Sequence, residues 1–171
     1  MKYSRNLPHW HPDGATFFVT WKLQGAQLKS KHGPFWLADP QVAQVVSEEI
    51  LRAQQEGRIE DLAAWVVMPN HVHVLLKPRE ELLPVLTGMK GASARRANLL
   101  LNRQGRFWQQ ESFDRWIRDG REFDRFRYYI EHNPVSARLV EKPADWRWSS
   151  AGWAEGGGLK PASTEHQCST S

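Results

Sequence analysis

Cysteine is almost missing from this chain: 171 residues hold one, Cys168, and it lies in a polar C-terminal stretch. A single thiol closes no intrachain disulfide and builds no cysteine metal cluster, which excludes disulfide scaffolds and zinc ribbons. Long apolar runs are missing as well. No segment reaches the roughly 20 residues of a membrane span. Met1 to Trp10 is polar and mixed, without the apolar centre of a secretory signal, so a cytoplasmic protein with no membrane partner is expected. An excess of acid is also lacking. Lys and Arg number 23 against 19 Asp and Glu, a net charge of +4, and polyanions are therefore plausible partners. Tryptophan, by contrast, is abundant: nine, several beside Arg or Lys, an arrangement that serves core packing and base stacking alike.

The length fits one domain with a sizeable core. Residues 15–23, Ala-Thr-Phe-Phe-Val-Thr-Trp-Lys-Leu, are aromatic and β-branched and read as a first strand. Asp39-Pro40 then caps a helix, and Val42, Val45, Val46, Ile50 and Leu51 keep helical spacing up to Gly57. Asp61 to Met68 reads as a second strand, joined by the tight link Pro69-Asn70 to a third that ends near Pro78. A second helix is expected from about Leu82 to Leu101 with Pro84 in its first turn, and Ser112 to Arg118 as a fourth strand. The order β-α-β-β-α-β is the split βαβ, ferredoxin-like plan of the α+β class, an antiparallel sheet flanked by helices, here followed by a further C-terminal helix. One domain over residues 1–153 and a disordered tail over 154–171, where Gly156-Gly157-Gly158 and a Ser/Thr-rich end lack apolar spacing, complete the plan.

The chemistry concentrates in Met68-Pro69-Asn70-His71-Val72-His73. On a strand, alternate side chains share a face, so His71 and His73 point the same way with Cα atoms roughly 6–7 Å apart. Two imidazoles can close on one divalent ion but leave its shell incomplete. The plain alternative is a hairpin whose histidines face water. Farther on, Phe123, Phe126 and Ile130 mark the buried side of a helix, and Pro134 places its end at Asn133. At about 100° per residue, Asn133 lies roughly 50° and Tyr129 roughly 90° from the centre of that stripe, whereas Tyr128, at roughly 170°, faces water. Tyr129 and Asn133 are thus neighbours on one edge. A phenol, a weak nucleophile at neutral pH, becomes effective where a metal polarises a phosphate and stabilises the charge that develops.

Other features have two readings each. Lys90, Arg95, Arg96 and Arg103 fall along the second helix and suit DNA phosphates or plain solvation equally well. His9-Trp10-His11, bracketed by Pro8 and Pro12, is a second His-x-His, read as an arm on the domain or its ligand ahead of a competing metal site. Lys142 to Trp153 is a compact aromatic segment, read as a lid packed on the domain ahead of a base-stacking platform.

Taken together, Met68-Pro69-Asn70-His71-Val72-His73, Tyr129-Ile130-x-x-Asn133-Pro134-Val135 and Asp145-Trp146-x-Trp148-Ser149-Ser150 resemble the REP-associated tyrosine transposases. These are similar in turn to the single-tyrosine transposases of small insertion sequences, among the HUH single-strand endonucleases. The likeness runs in order from about residue 5 to 153 and includes the Leu7–Pro12 arm and the Phe107-Trp108-Gln109 turn. It implies that His71 and His73 hold Mg²⁺ or Mn²⁺ and that Tyr129 attacks a DNA phosphate to form a phosphotyrosine ester. It also implies that the position four residues later adds a ligand. Related enzymes often have glutamine there; this chain has Asn133. The implied partner is single-stranded, hairpin-forming palindromic DNA, with a nucleoid-associated location and either a monomer or a homodimer. A catalytically silent DNA-binding protein of the same fold, and a nuclease that activates water without a tyrosine, are the alternatives.

Overall fold

The computed structural model describes residues 12–28 and 32–153. The His9 and His11 arm, the 154–171 tail and Cys168 lie outside the described residues. Four strands, β1 (Phe17–Lys22), β2 (Ile59–Met68), β3 (His71–Pro78) and β4 (Phe113–Trp116), form one antiparallel sheet in the order β2-β3-β1-β4. The helices are α1 (Pro40–Gln55), α2 (Leu82–Leu100), α3 (Gly120–Ser136) and the short α4 (Ser150–Trp153). This is the split βαβ arrangement expected from the element order.

Strand alternation divides the sheet between two apolar layers. Val19, Trp21, Trp65, Val67, Val72, Val74 and Leu76 pack on one face with residues of α1 and α2. On the other face Phe18, Ala64, Val66, Met68 and Leu75 meet Phe123, Phe126 and Ile130 of α3. Helix α1 starts where expected because Asp39 accepts from the Gln41 amide at 2.8 Å with Pro40 behind it, and it ends before Gly57, whose φ of +74° favours glycine. In α2, Pro84 falls in the first turn, where its missing N–H costs nothing.

Two boundaries depart from the sequence reading. Strand β2 begins at Ile59 instead of Asp61, because Ile59 is buried and pairs with Pro78 across a register shift. Helix α3 does not stop at Asn133; it carries Pro134 inside and runs on to Ser136. Proline removes the bond to the Ile130 carbonyl, yet the turn beyond is satisfied: Ala137 N donates to Asn133 O and Leu139 N to Pro134 O, both at 2.9 Å. Arg138, at a φ of +59°, then turns the chain out of the helix.

The aromatic segment after α3 packs on the domain along the free edge of β2. Val67 N donates to Trp148 O at 2.8 Å, Trp65 N to Ser150 Oγ at 3.1 Å, and Trp146 Nε1 to Val67 O at 3.0 Å. These bonds use strand groups that an open edge would expose to another chain. Trp146 joins the α3 layer and Trp148 the opposite one, so the segment clamps both faces.

Candidate active site

His71 and His73 stand on the α3 face of β3, with ring centroids 4.6 Å apart and relative exposures of 7% and 2%. Neither faces water. Strand β1 supplies their cross-strand neighbours, Lys22 opposite His71 and Thr20 opposite His73. Each imidazole is held through Nδ1: His73 by Thr20 Oγ1 and His71 by Asn70 Oδ1, both at 2.6 Å. Asn70 Nδ2 donates to Gln27 O at 3.3 Å, which turns its carbonyl oxygen toward His71. A carbonyl only accepts, so the proton sits on His71 Nδ1 and the lone pair on Nε2. His73 Nε2 is buried without a hydrogen-bond partner. Burial, followed by the charge of Lys22, pushes His71 down to about 4; burial, then His71, holds His73 well below its ordinary value. Both rings are therefore neutral at neutral pH, the form a metal ion requires.

Helix α3 brings Tyr129 to this pair. Its ring centroid lies 5.3 Å from that of His73 and 6.0 Å from that of Phe18, and the residue is 46% exposed. Tyr128 points outward, 63% exposed, and stacks on His132 at 3.7 Å. The helix is anchored at its start: Asp119 accepts from Glu122 N at 2.8 Å, while Glu122 takes the Arg118 amide at 2.9 Å and the Arg115 guanidinium of β4. Asn133, half-buried one turn beyond Tyr129, makes no hydrogen bond to either imidazole among the described residues. Nor does a third His, Cys, Asp or Glu join the pair there to complete a metal cluster.

Beside Tyr129 the sheet opens into a cleft of about 780 Å³ lined by Phe18, Thr20, Lys22, His73, Phe113 and Phe126, with Arg125 and Glu111 also on its walls. Thr20, Lys22 and Arg125 escaped the sequence reading. The alternation of Phe18, Thr20 and Lys22 along β1 puts them on one face, but pairing them with His71 and His73 takes the antiparallel register, which no local pattern encodes.

The basic residues on and just after α2 lie off the histidine face, since Val85, Leu86, Met89 and Ala97 pack that helix on the opposite face of the sheet. Lys90 Nζ donates to Gln109 O, Gln110 O and Ser112 Oγ. Arg96 bonds Glu48 at 2.6 Å and Glu49 at 2.8 Å, and Arg103 lies over the Trp36 ring at 3.8 Å. These three have work inside the fold. Arg95 is exposed, with no such partner among the described residues.

The split βαβ sheet flanked by helices is a fold known from a solved structure. Over 92% of this chain and 89% of the other, with a TM-score of 0.68 and 20% identity, it is similar to a REP-associated tyrosine transposase solved bound to a REP hairpin. It is also similar to a protein of Deinococcus radiodurans R1 described as a candidate transposase, with a TM-score of 0.42, 22% identity and coverage of 77% and 97%. No curated protein matches it. The family model of IS200-like transposases matches residues 36–133, and the chain belongs to that family. The resemblance read from the residues is thus borne out.

Proposed function

We propose that this transposase is a metal-dependent single-strand DNA endonuclease and strand transferase acting on hairpin-forming repeats through a covalent phosphotyrosine intermediate. The observation that carries the reading is the meeting of a buried, unpartnered His73 Nε2 with the exposed Tyr129 at the mouth of an open cleft. The donor set suits a divalent ion in kind: two neutral imidazoles oriented through Nδ1, with the Asn133 amide on the adjacent helix as a further ligand. When bound there, Mg²⁺ or Mn²⁺ polarises the scissile phosphate and offsets charge on the departing oxygen.

The remaining roles belong to the chain. Tyr129 Oη forms a bond to phosphorus, losing its proton, as the bond from phosphorus to the 3′-oxygen of the preceding nucleotide breaks. One strand is left on Tyr129 and the other ends in a 3′-hydroxyl, which by attacking the ester reverses the step. Lys22 and Arg125, on the cleft walls, are placed to attract the phosphate. Of the four cations on and just after α2, Arg95 is the one free to contact a DNA backbone; Lys90, Arg96 and Arg103 serve such contacts only in addition to their intramolecular ones. The hairpin enters as substrate class because the similar transposase was solved with one. Among the described residues no helix is long and apolar enough to cross a membrane.

The test mixes purified protein with single-stranded DNA from the repeats flanking its own gene. An Mg²⁺- or Mn²⁺-dependent protein–DNA adduct that survives denaturation is expected, lost in Tyr129→Phe and kept in Tyr128→Phe. Binding without any adduct would leave a silent DNA-binding protein. Cleavage without an adduct would leave a water-activating nuclease.

A further inference from the structure

The cleft beside Tyr129 is far larger than a phosphate needs, and its walls are mainly aromatic. Phe18 stacks on Phe126 at 4.4 Å between ring centroids and meets Phe113 edge-on at 6.3 Å. Phe113 is itself 50% exposed, and Leu28, on the same cleft, 45%. Phe113 lies opposite Thr20 in the β4–β1 register, so it stands on the histidine face of the sheet, one strand from β1. Half-exposed apolar groups gathered in a concave site next to a nucleophile mark a place where a flat, apolar-faced ligand is taken out of water.

Polar groups frame the same cleft. Gln109 donates through Nε2 to Ala26 O at 2.9 Å, which fixes its amide plane on the lining. Ser112 Oγ is held by Lys90 Nζ at 3.1 Å, and Lys90 also ties down the Gln109 and Gln110 carbonyls. The loop that forms this wall is therefore rigid from behind. Lys22 and Arg125 add positive charge for a backbone, and Glu111 contributes an acceptor for an exocyclic amine.

Resting on the function proposed above, we infer that this cleft is the site of one unpaired nucleobase adjacent to the scissile phosphate, stacked on Phe113. A phosphate at Tyr129 leaves its neighbouring base within reach of the cleft, since base and phosphate belong to the same nucleotide. Every base has a π-face, so the stacking supplies affinity, while Gln109 and Glu111 address the base edge and supply preference.

The experiment uses Tyr129→Phe protein, which holds DNA without cutting it, and hairpin oligonucleotides with a single-stranded flank from the repeats beside the gene. An abasic residue is walked through the flank. One position is expected to lose about tenfold or more in affinity, the range that base–aromatic stacking supplies. Adding Phe113→Ala should produce the same loss with the intact flank and remove any further loss from that abasic position. Adding Phe113→Trp should restore binding. Phe113 sits half-exposed near the start of a four-residue edge strand, and circular dichroism confirms that each variant is folded. Uniform affinity across the abasic walk, or additive losses from Phe113→Ala and the abasic position, overturns the base site alone. Failure to bind any oligonucleotide overturns the DNA reading and the base site with it.

Discussion

Acid should unfold this protein earlier than its carboxylates dictate, because two imidazoles are buried without charge. His71 is held at about 4 against an ordinary value of 6.5, by burial and then by Lys22. His73 is also held well below its ordinary value, by burial and then by His71. The unfolded chain therefore binds more protons than the fold between these values, and stability falls as pH falls. For His71 the difference is worth about 3 kcal/mol once pH has dropped through both values, or about 1.4 kcal/mol for each pH unit in between. Glu48 and Glu122 are held below their ordinary value of 4.5, so their contributions fade only at lower pH. The window from pH 6.5 down to about 4.5 belongs to the histidines. Urea unfolding in the presence of a chelator, at half-unit steps of pH, measures the slope. His71→Gln should reduce it, and the double variant with His73→Gln should flatten it. Stability independent of pH in that window, or a slope unchanged in the double variant, would refute the burial argument.

Thr20→Val removes the hydroxyl that orients His73 while keeping the shape of the side chain; Mn²⁺ affinity measured by calorimetry should fall about 10- to 100-fold, with Thr20→Ser restoring most of it. Equal Mn²⁺ binding by Thr20→Val and wild type would remove Thr20 from that role. Gly152→Ala places a methyl 2.7 Å from Trp146 O and 3.2 Å from Ala144 O, so the strap must shift, at about 1–3 kcal/mol in a thermal or urea melt. Arg96→Gln leaves the buried Glu49 with Arg52 alone, 3.4 Å away, and should cost about 1–2 kcal/mol once the partial exposure of Arg96 is allowed for, whereas Arg95→Gln should be silent in the same melt.

Much of the sheet was legible because each strand carries its own period. The alternation that put His71, His73 and Leu75 on one side holds, and helical spacing placed Tyr129 at the edge of the α3 stripe and Tyr128 outside it. Local rules failed where a distant partner decides. Pro134 disfavours a helical Asn133, yet bonds from Ala137 and Leu139 carry the helix through. Lys90, Arg96 and Arg103 have the spacing of a solvated or DNA-facing stripe; only the tertiary structure supplies the carbonyls, carboxylates and ring that occupy them. The aromatic strap was expected to pack, but not to bond along the edge of β2, since backbone pairing leaves no trace in side-chain identity.

What positions Tyr129 is less the histidine strand than Phe18 beside it. Its ring stacks on Phe126 of α3 at 4.4 Å and on His73 at 5.4 Å, and meets Tyr129 edge-on at 6.0 Å. One side chain therefore touches the tyrosine helix and the histidine strand at once, and Tyr129 reaches past it to His73, 5.3 Å away. Helix α3 is pinned to β4 at its start by Glu122 and Arg115, and it overlies β2 and β3 through Ile130, so Tyr129 lies between two fixed points. Under the proposed function, a phenol held this way needs no reordering of its backbone to meet a phosphate, and the ordering cost has been met in folding. The half of that ring left exposed, beside the open cleft, is what the proposed function needs for DNA to reach it.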